Sequence, residues 1–359
     1  MMRTTILLLT CLLASSAFAG KIISVAGNGQ KERSTVVSNP LKNAIGQPFG
    51  VELDRAGDLY ITEVWNHRIW KIDGKGLATV VAGTGKKGYS GDGGDARKAD
   101  LNEPYEVRFD SRGNMVFVEM QNHLIRRVDA KTGVISTVAG TGKAGFGGDG
   151  GDARKAQFRV PHSLALDKYD NIYVADIGNH RIRKIGAKTG KIETIAGNGK
   201  RQLPRDGQLA RGKSMVGPRA LFVEGTTMWI ALREGHSVWK LNLKSGRLTH
   251  IAGSGKRGFS GDGGDPKKAT FNGPKGIALG PKGNVFVVDT ENQTIRKIDL
   301  KKNLITTVAG RGPKARGGAG DNGPATKAEL DRPHGVCVGK DGKIYIGDTL
   351  NHRVRVVLP

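Results

Sequence analysis

A closed ring of six four-stranded antiparallel sheets, an all-β six-bladed propeller, is the fold class this sequence predicts, and three observations carry it. The dipeptide Ala-Gly returns with its glycine at Gly27, Gly83, Gly140, Gly197, Gly253 and Gly310, so six units share a spacing of 56 or 57 residues. Each unit holds four short runs rich in β-branched residues and bounded by Gly, Asp, Asn or Pro, the pattern of strands between tight turns. The two ends of the chain are complementary fragments of one unit. A lone four-stranded sheet buries both faces only when neighbours pack around an axis, so a repeat of this size and strand content reads as a propeller blade.

The third unit shows the order of elements most clearly. A glycine-rich loop follows Gly140, and then come a proline-led run "PHSLALD", a second run "NIYVAD" ending at an acid, a basic run "HRIRKI", and a last run "KIETIAG". At the start of the chain "KIISVAG", Lys21 to Gly27, matches only the fourth run, while "PHGVCVG", "KIYIGD" and "HRVRVVLP" at the far end supply only the first three. The N-terminal strand is therefore expected to complete the last blade and remove the sheet edge that would otherwise stay open. Glycine is abundant, 54 of 359 residues, but without a triplet period, which assigns it to recurrent turns. A second symmetry lies inside the first. "GDGGD" occurs at Gly91–Asp95, Gly148–Asp152 and Gly261–Asp265, with a degenerate "GAGDNG" at Gly318–Gly323, and is missing from the first and fourth units. The chain reads as a duplicated three-blade half.

Residues 1–19 read as a secretory signal: Arg3, the run "TTILLLTCLLA" that is too short to span a bilayer, and "AFA" before Gly20. The expected organisation is a leader at 1–19 and a propeller at 20–359, exported to the periplasm or the extracellular medium, with no transmembrane segment. Thr10 before Cys11 does not suit lipid attachment, and Cys337 is left without a disulfide partner in the mature chain. Fifty-seven Lys and Arg against 33 Asp and Glu give a formal charge of +24, a field that attracts polyanions. For an exported chain the expected partner is an acidic polysaccharide or an extracellular protein. The basic runs lack interleaved aromatics for base stacking, which argues against nucleic acid. The ring is expected to act as a monomer.

The elements "VAGTGKKGYSGDGGDARKADLNEP", "DNIYVAD" and "NHRIRKI" resemble the NHL-repeat family over nearly all of the chain after the leader. The resemblance implies a six-bladed propeller and no single activity, because the family includes binding platforms and enzymes.

The first strand of a propeller blade lines the central channel, so the residue after each leading proline comes to the channel mouth. Those residues are Phe49, Tyr105, His162, Arg219, Lys275 and His334. A purely structural ring would repeat one small or apolar residue there. The segments around Pro161-His162 and Pro333-His334 resemble blades of the peptidyl-hydroxyglycine amidating lyase, which implies His162 and His334 as ligands of a catalytic zinc. That enzyme uses three histidines on alternate blades, whereas these two lie on opposite blades with Tyr105, Arg219 and Lys275 at other positions. The same ring reads without a metal: Tyr105, His162 and His334 exchange protons while Arg219 and Lys275, with Phe49 beside them, hold a carboxylate or sulfate, as β-elimination on an acidic saccharide requires. The expected role is recognition of an anionic ligand or partner protein; the alternative is a lyase or hydrolase centred on the channel.

Other repeated residues read as structural. Asn66-His67, Asn122-His123, Asn179-His180 and Asn351-His352, with Gly235-His236 and Asn292-Gln293 as variants, are expected to stabilise turns by bonding local backbone. Glu63, Glu119, Asp176, Asp289 and Asp348 precede them and are expected to do the same or to pair with strand arginines, with Leu232 breaking the series. The Gly-Asp loops match the calcium-binding toxin repeat by letter only, because they do not stack as tandem nonapeptides. Calcium within a single loop would have two aspartates and free carbonyls as ligands.

Overall fold

In the computed structural model, which describes residues 20–359, the chain forms six four-stranded antiparallel sheets and no α-helix among the described residues. The expected leader at 1–19 lies outside the described residues. Five sheets are continuous in sequence, the first being Pro48–Leu53, Leu59–Glu63, Arg68–Ile72 and Ala78–Ala82 in spatial order. The sixth is composite. Ile22–Ala26 pairs with Arg353–Val357 in antiparallel register, Ile22 opposite Val357, beside Ile344–Asp348 and Val336–Val338. The ends of the chain thus close the ring as the terminal fragments require.

Six apolar clusters fill the spaces between blades, one at each interface. Ile69 and Ala82 of the first blade meet Val107 and Phe117 of the second, and Ala26 and Val354 of the sixth meet Val51 and Ile61 of the first. Strand side chains alternate between the two faces of each sheet, so every blade contributes to two clusters and none is stable by itself. The leading strands of successive blades pack against one another around the axis, Pro48–Leu53 against Val336–Val338 completing the circle.

Charged groups are sealed between these apolar layers. Arg126, Arg183, Arg296 and Arg355, on the third strands of four blades, are fully buried. Each meets two acids. Arg126 donates to Glu119 at 2.9 Å and to Asp92 at 2.8 Å, and Arg296 donates to Asp289 at 3.5 Å and to Asp262 at 2.7 Å. One acid belongs to the same blade and the other to a Gly-Asp loop, so the loop is tied to the sheet it precedes. The later aspartate of each loop caps a short 3-10 turn: Asp95, Asp152 and Asp265 accept from the N–H groups of Arg97, Arg154 and Lys267. The fourth blade has Leu232 and Trp239 where these acids and arginines stand, an apolar replacement for the pair.

The histidines of the Asn-His turns differ from the expectation. Asparagine bonds locally, as Asn179 does to Asp176 at 2.8 Å and to the carbonyl of Gly145 at 2.7 Å. Histidine reaches the next blade. Nδ1 of His67, His123, His180, His236 and His352 accepts the backbone N–H of Glu103, Val160, Gly217, Gly273 and Gln47, at 3.1 to 3.2 Å. Oε1 of Gln293 does the same for Arg332. Every one of these N–H groups belongs to a residue with φ between 41° and 63° immediately before a leading proline. A left-handed residue there turns its N–H back toward the preceding blade, and a side chain held across the interface is the acceptor it finds. The six contacts staple the ring, His352 to Gln47 closing it.

Candidate functional site

The turn that the staples fix delivers each leading strand to the channel mouth. All six residues expected there, one from each blade, line a single cavity of about 270 Å³, joined by Gln47, Arg233, Arg332, Thr349 and Leu350. The cavity is divided by chemistry. On the side of the first, second, third and sixth blades lies an aromatic wall. Phe49 stacks on His334 with ring centroids 4.0 Å apart and leans on Tyr105 at 4.4 Å, and Tyr105 meets His162 edge to face at 4.9 Å. On the side of the fourth to sixth blades stand four cations: Arg219, Arg233, Lys275 and Arg332.

Carboxylates of the protein occupy most of that charge. Glu291 Oε1 accepts from Lys275 Nζ and from Arg332 Nη2, each at 2.8 Å, and Glu234 holds Arg233. Arg219 is 1% exposed, with its guanidinium 5.5 Å from the Tyr105 ring and Nη1 3.6 Å from Glu106 Oε1. Glu106 is itself shared with Ser163, which donates at 2.7 Å, and with Arg108 at 3.4 Å. Arg219 Nε and Nη1 have no hydrogen-bond partner among the described residues, and neither does Arg332 Nε. Buried donors without acceptors are uncommon, and although Nε of Arg126 and of Arg296 is in the same state between the sheets, of these three arginines it is Arg219 that lines a cavity with room for an anion.

The titrating groups are set by burial. Removal from water pushes the Lys275 ammonium down to about 8, Glu291 opposing the fall. Burial, reinforced by Arg219, holds His162 well below the usual imidazole range, and burial with Lys275 does the same for His334. Tyr105 is pushed up to about 12 by burial and stays a phenol. Hydrogen bonds select the tautomers: Nδ1–H of His162 donates to the Val160 carbonyl at 2.6 Å, and Nδ1–H of His334 to the Arg332 carbonyl at 2.8 Å. Nε2 is then the basic nitrogen of each ring, and that of His334 faces Lys275 Nζ at 3.4 Å.

This donor set does not fit the zinc that the lyase resemblance implies. An ammonium stands before one imidazole nitrogen, and no group of three or more His, Cys, Asp or Glu among the described residues is placed to hold a metal ion. The aspartates of the Gly-Asp loops are engaged by arginines and backbone N–H groups, as described above. Sequence reasoning found the ring of six through the proline register but missed Arg233, Arg332, Glu234 and Glu291. These lie just before that register or in the turn between second and third strands, where only Glu234 and Glu291 share a position and the other blades carry different letters.

Comparison with known proteins agrees with the architecture. The NHL repeat profile matches residues 158–185 and 330–357, and the teneurin NHL domain profile matches residues 252–316. The chain is 31% identical to NHL repeat-containing protein 2 of Gallus gallus over 71% of its own length and 38% of that protein's. It is 29% identical to suppressor of quenching 1 of Arabidopsis thaliana over 72% of its own length and 25% of that protein's. It thus spans well under half of these relatives. Among solved structures it is similar to an auxiliary nutrient binding protein of Bacteroides thetaiotaomicron, with TM-score 0.68, 16% identity, and coverage of 94% of this chain and 75% of that one. It is also similar to virginiamycin B lyase of Staphylococcus aureus, with TM-score 0.53, 16% identity, and coverage of 90% and 98%. At such identities the likeness is one of fold. The chain is a six-bladed β-propeller that carries NHL repeats in its third and sixth blades.

Proposed function

We propose that this propeller is an exported binding protein that takes an anionic ligand, the acidic end of a polysaccharide in the first instance, into the mouth of its central channel. The observation that carries the reading is Arg219: a guanidinium 1% exposed, lining the cavity, with two nitrogens that lack acceptors. Arg233, Lys275 and Arg332 surround it with positive charge, and the net charge of +24 gathers anions from a distance. The nutrient-binding neighbour lends the reading an analogy of fold and no more. Export rests on the leader at residues 1–19, and Gly20 at the N-terminus of protein recovered outside the cytoplasm is its test. Binding is tested by calorimetric titration of the purified ring with acidic and neutral oligosaccharides. Affinity for the acidic set alone, weakened by salt and lost in Arg219→Gln, supports the proposal; equal affinity for both sets overturns it.

A second reading, a channel lyase acting on acidic saccharides, is favoured by one observation. Two imidazoles and a phenol line the cavity with the cations, so groups that can take and give a proton stand beside the place of the anion. In that reading His162 Nε2 takes the proton beside the carboxylate and Tyr105 hands one to the leaving oxygen. Release of an unsaturated product, abolished by His162→Ala with His334→Ala, is the result it requires.

A further inference from the structure

The cavity also restricts what kind of anion enters, and this step rests on the anion-binding reading just given. We infer that its ligand is a single ring carrying one carboxylate, with the ring face against Phe49 and Tyr105 and the carboxylate toward Arg219. Charge sets the number. Four cations, Arg219, Arg233, Lys275 and Arg332, face three carboxylates, Glu106, Glu234 and Glu291, and Arg108, which shares Glu106, is matched by Glu52, so one positive charge is left for a ligand. A dianion or a polyphosphate would have to displace Glu291 from both Lys275 and Arg332.

Volume and wall set the shape. At about 270 Å³ the space equals on the order of ten waters, which an acetate or a sulfate would leave largely unfilled. It also lies below the range of about 300 to 1,000 Å³ typical of sites for larger ligands, so one ring enters and a chain continues outward. Phe49 is only partly buried although its ring lies 4.0 Å from that of His334 and 4.4 Å from that of Tyr105, so part of the aromatic wall stays open at the mouth. Aromatic walls take the flat C–H face of a sugar or the face of an aryl group, and a cation beside the wall, as Arg219 stands 5.5 Å from the Tyr105 ring, fixes which edge points inward. A uronic acid at the end of a saccharide and a free aromatic acid share this chemistry.

The test titrates the full ring with glucuronate, benzoate, acetate, sulfate and glucose, for wild type, Phe49→Ala and Phe49→Tyr. The expected result is that glucuronate or benzoate binds about tenfold more tightly than acetate, sulfate or glucose. That ratio collapses toward one in Phe49→Ala and returns in Phe49→Tyr, a change of selectivity that a merely loosened fold does not give. Glucuronate ahead of benzoate assigns the saccharide source, and the reverse order assigns the aromatic one. If acetate or sulfate equals both ring acids in wild type, the ring inference is overturned while anion binding stands. If none of the anions binds, the anion-binding reading has failed and the inference with it.

Discussion

Replacing His123 by leucine and by glutamine separates the staple between blades from ordinary packing. His123 Nδ1 accepts the N–H of Val160 at 3.2 Å, from a residue held at φ 41°. A β-branched residue in the left-handed region persists only where its surroundings over-determine it. Leucine fills the space of the imidazole but leaves the N–H without its acceptor. The contact is half-buried, so the cost falls in the lower part of the range for an orphaned donor, about 1 to 2 kcal/mol. Glutamine already performs the task in the fifth blade, where Gln293 Oε1 accepts from Arg332 at 2.6 Å, and His123→Gln should cost less than about half as much. Acid adds a second signature. Burial holds His123 below 6.5, so its unprotonated form is favoured by folding. The stability it contributes is present above the unfolded value of about 6.5 and is lost as pH falls through the lower folded value. Wild type should therefore lose stability relative to His123→Gln as pH drops below about 6.5. Urea midpoints at neutral and acid pH measure both effects. Leucine and glutamine variants with the same midpoint, or a pH-independent gap between wild type and His123→Gln, would refute the staple.

Three further outcomes follow from the same geometry. Arg126→Leu leaves Glu119 buried without its partner and should cost about 3 to 5 kcal/mol, whereas Glu119→Leu with Arg126→Trp, the pairing found in the fourth blade as Leu232 and Trp239, should recover much of that in chemical denaturation. Because Lys275 loses its proton near pH 8, affinity for a channel anion should fall as pH rises above about 8; calorimetry of Lys275→Arg across that window should show a flat profile. Removing the strand Ile22–Ala26 strips the sixth blade of its outer strand and exposes the edge of Arg353–Val357, so the shortened protein should melt lower and self-associate in light scattering.

The fold was legible because it is written six times. Ala-Gly spacing and leading prolines each mark a backbone requirement that every blade shares, acid-ended second strands recur in all blades but the fourth, and the mismatched termini disclose the closure. The channel residues were legible by the same register: Phe49, Tyr105, His162, Arg219, Lys275 and His334 occupy one repeated position, and the structure gathers them at one cavity. Roles that depend on contacts between blades were not legible. His67 and its equivalents look like turn residues because sequence shows their neighbours in the chain and not the N–H about 37 residues further on, as from His123 to Val160. Glu291 and Arg332 escaped for a related reason: Arg332 has no equivalent in another blade, Glu291 recurs only as Glu234 of the fourth, and the two acquire their place only when a fifth-blade turn meets a sixth-blade loop. The Gly-Asp loops, conspicuous as letters, turned out to hold Arg126 and its equivalents, because a guanidinium sealed between apolar sheets needs a second acid beyond the one in its own blade.

The most direct test of the central claim is the position of a ligand in crystals of the ring grown with glucuronate. The account predicts its carboxylate within hydrogen-bond distance of the Arg219 guanidinium, inside the cavity lined by Phe49, Tyr105 and Lys275. Glucuronate found instead on the outer lysines or in the Gly-Asp loops, with the channel mouth unchanged, would contradict it.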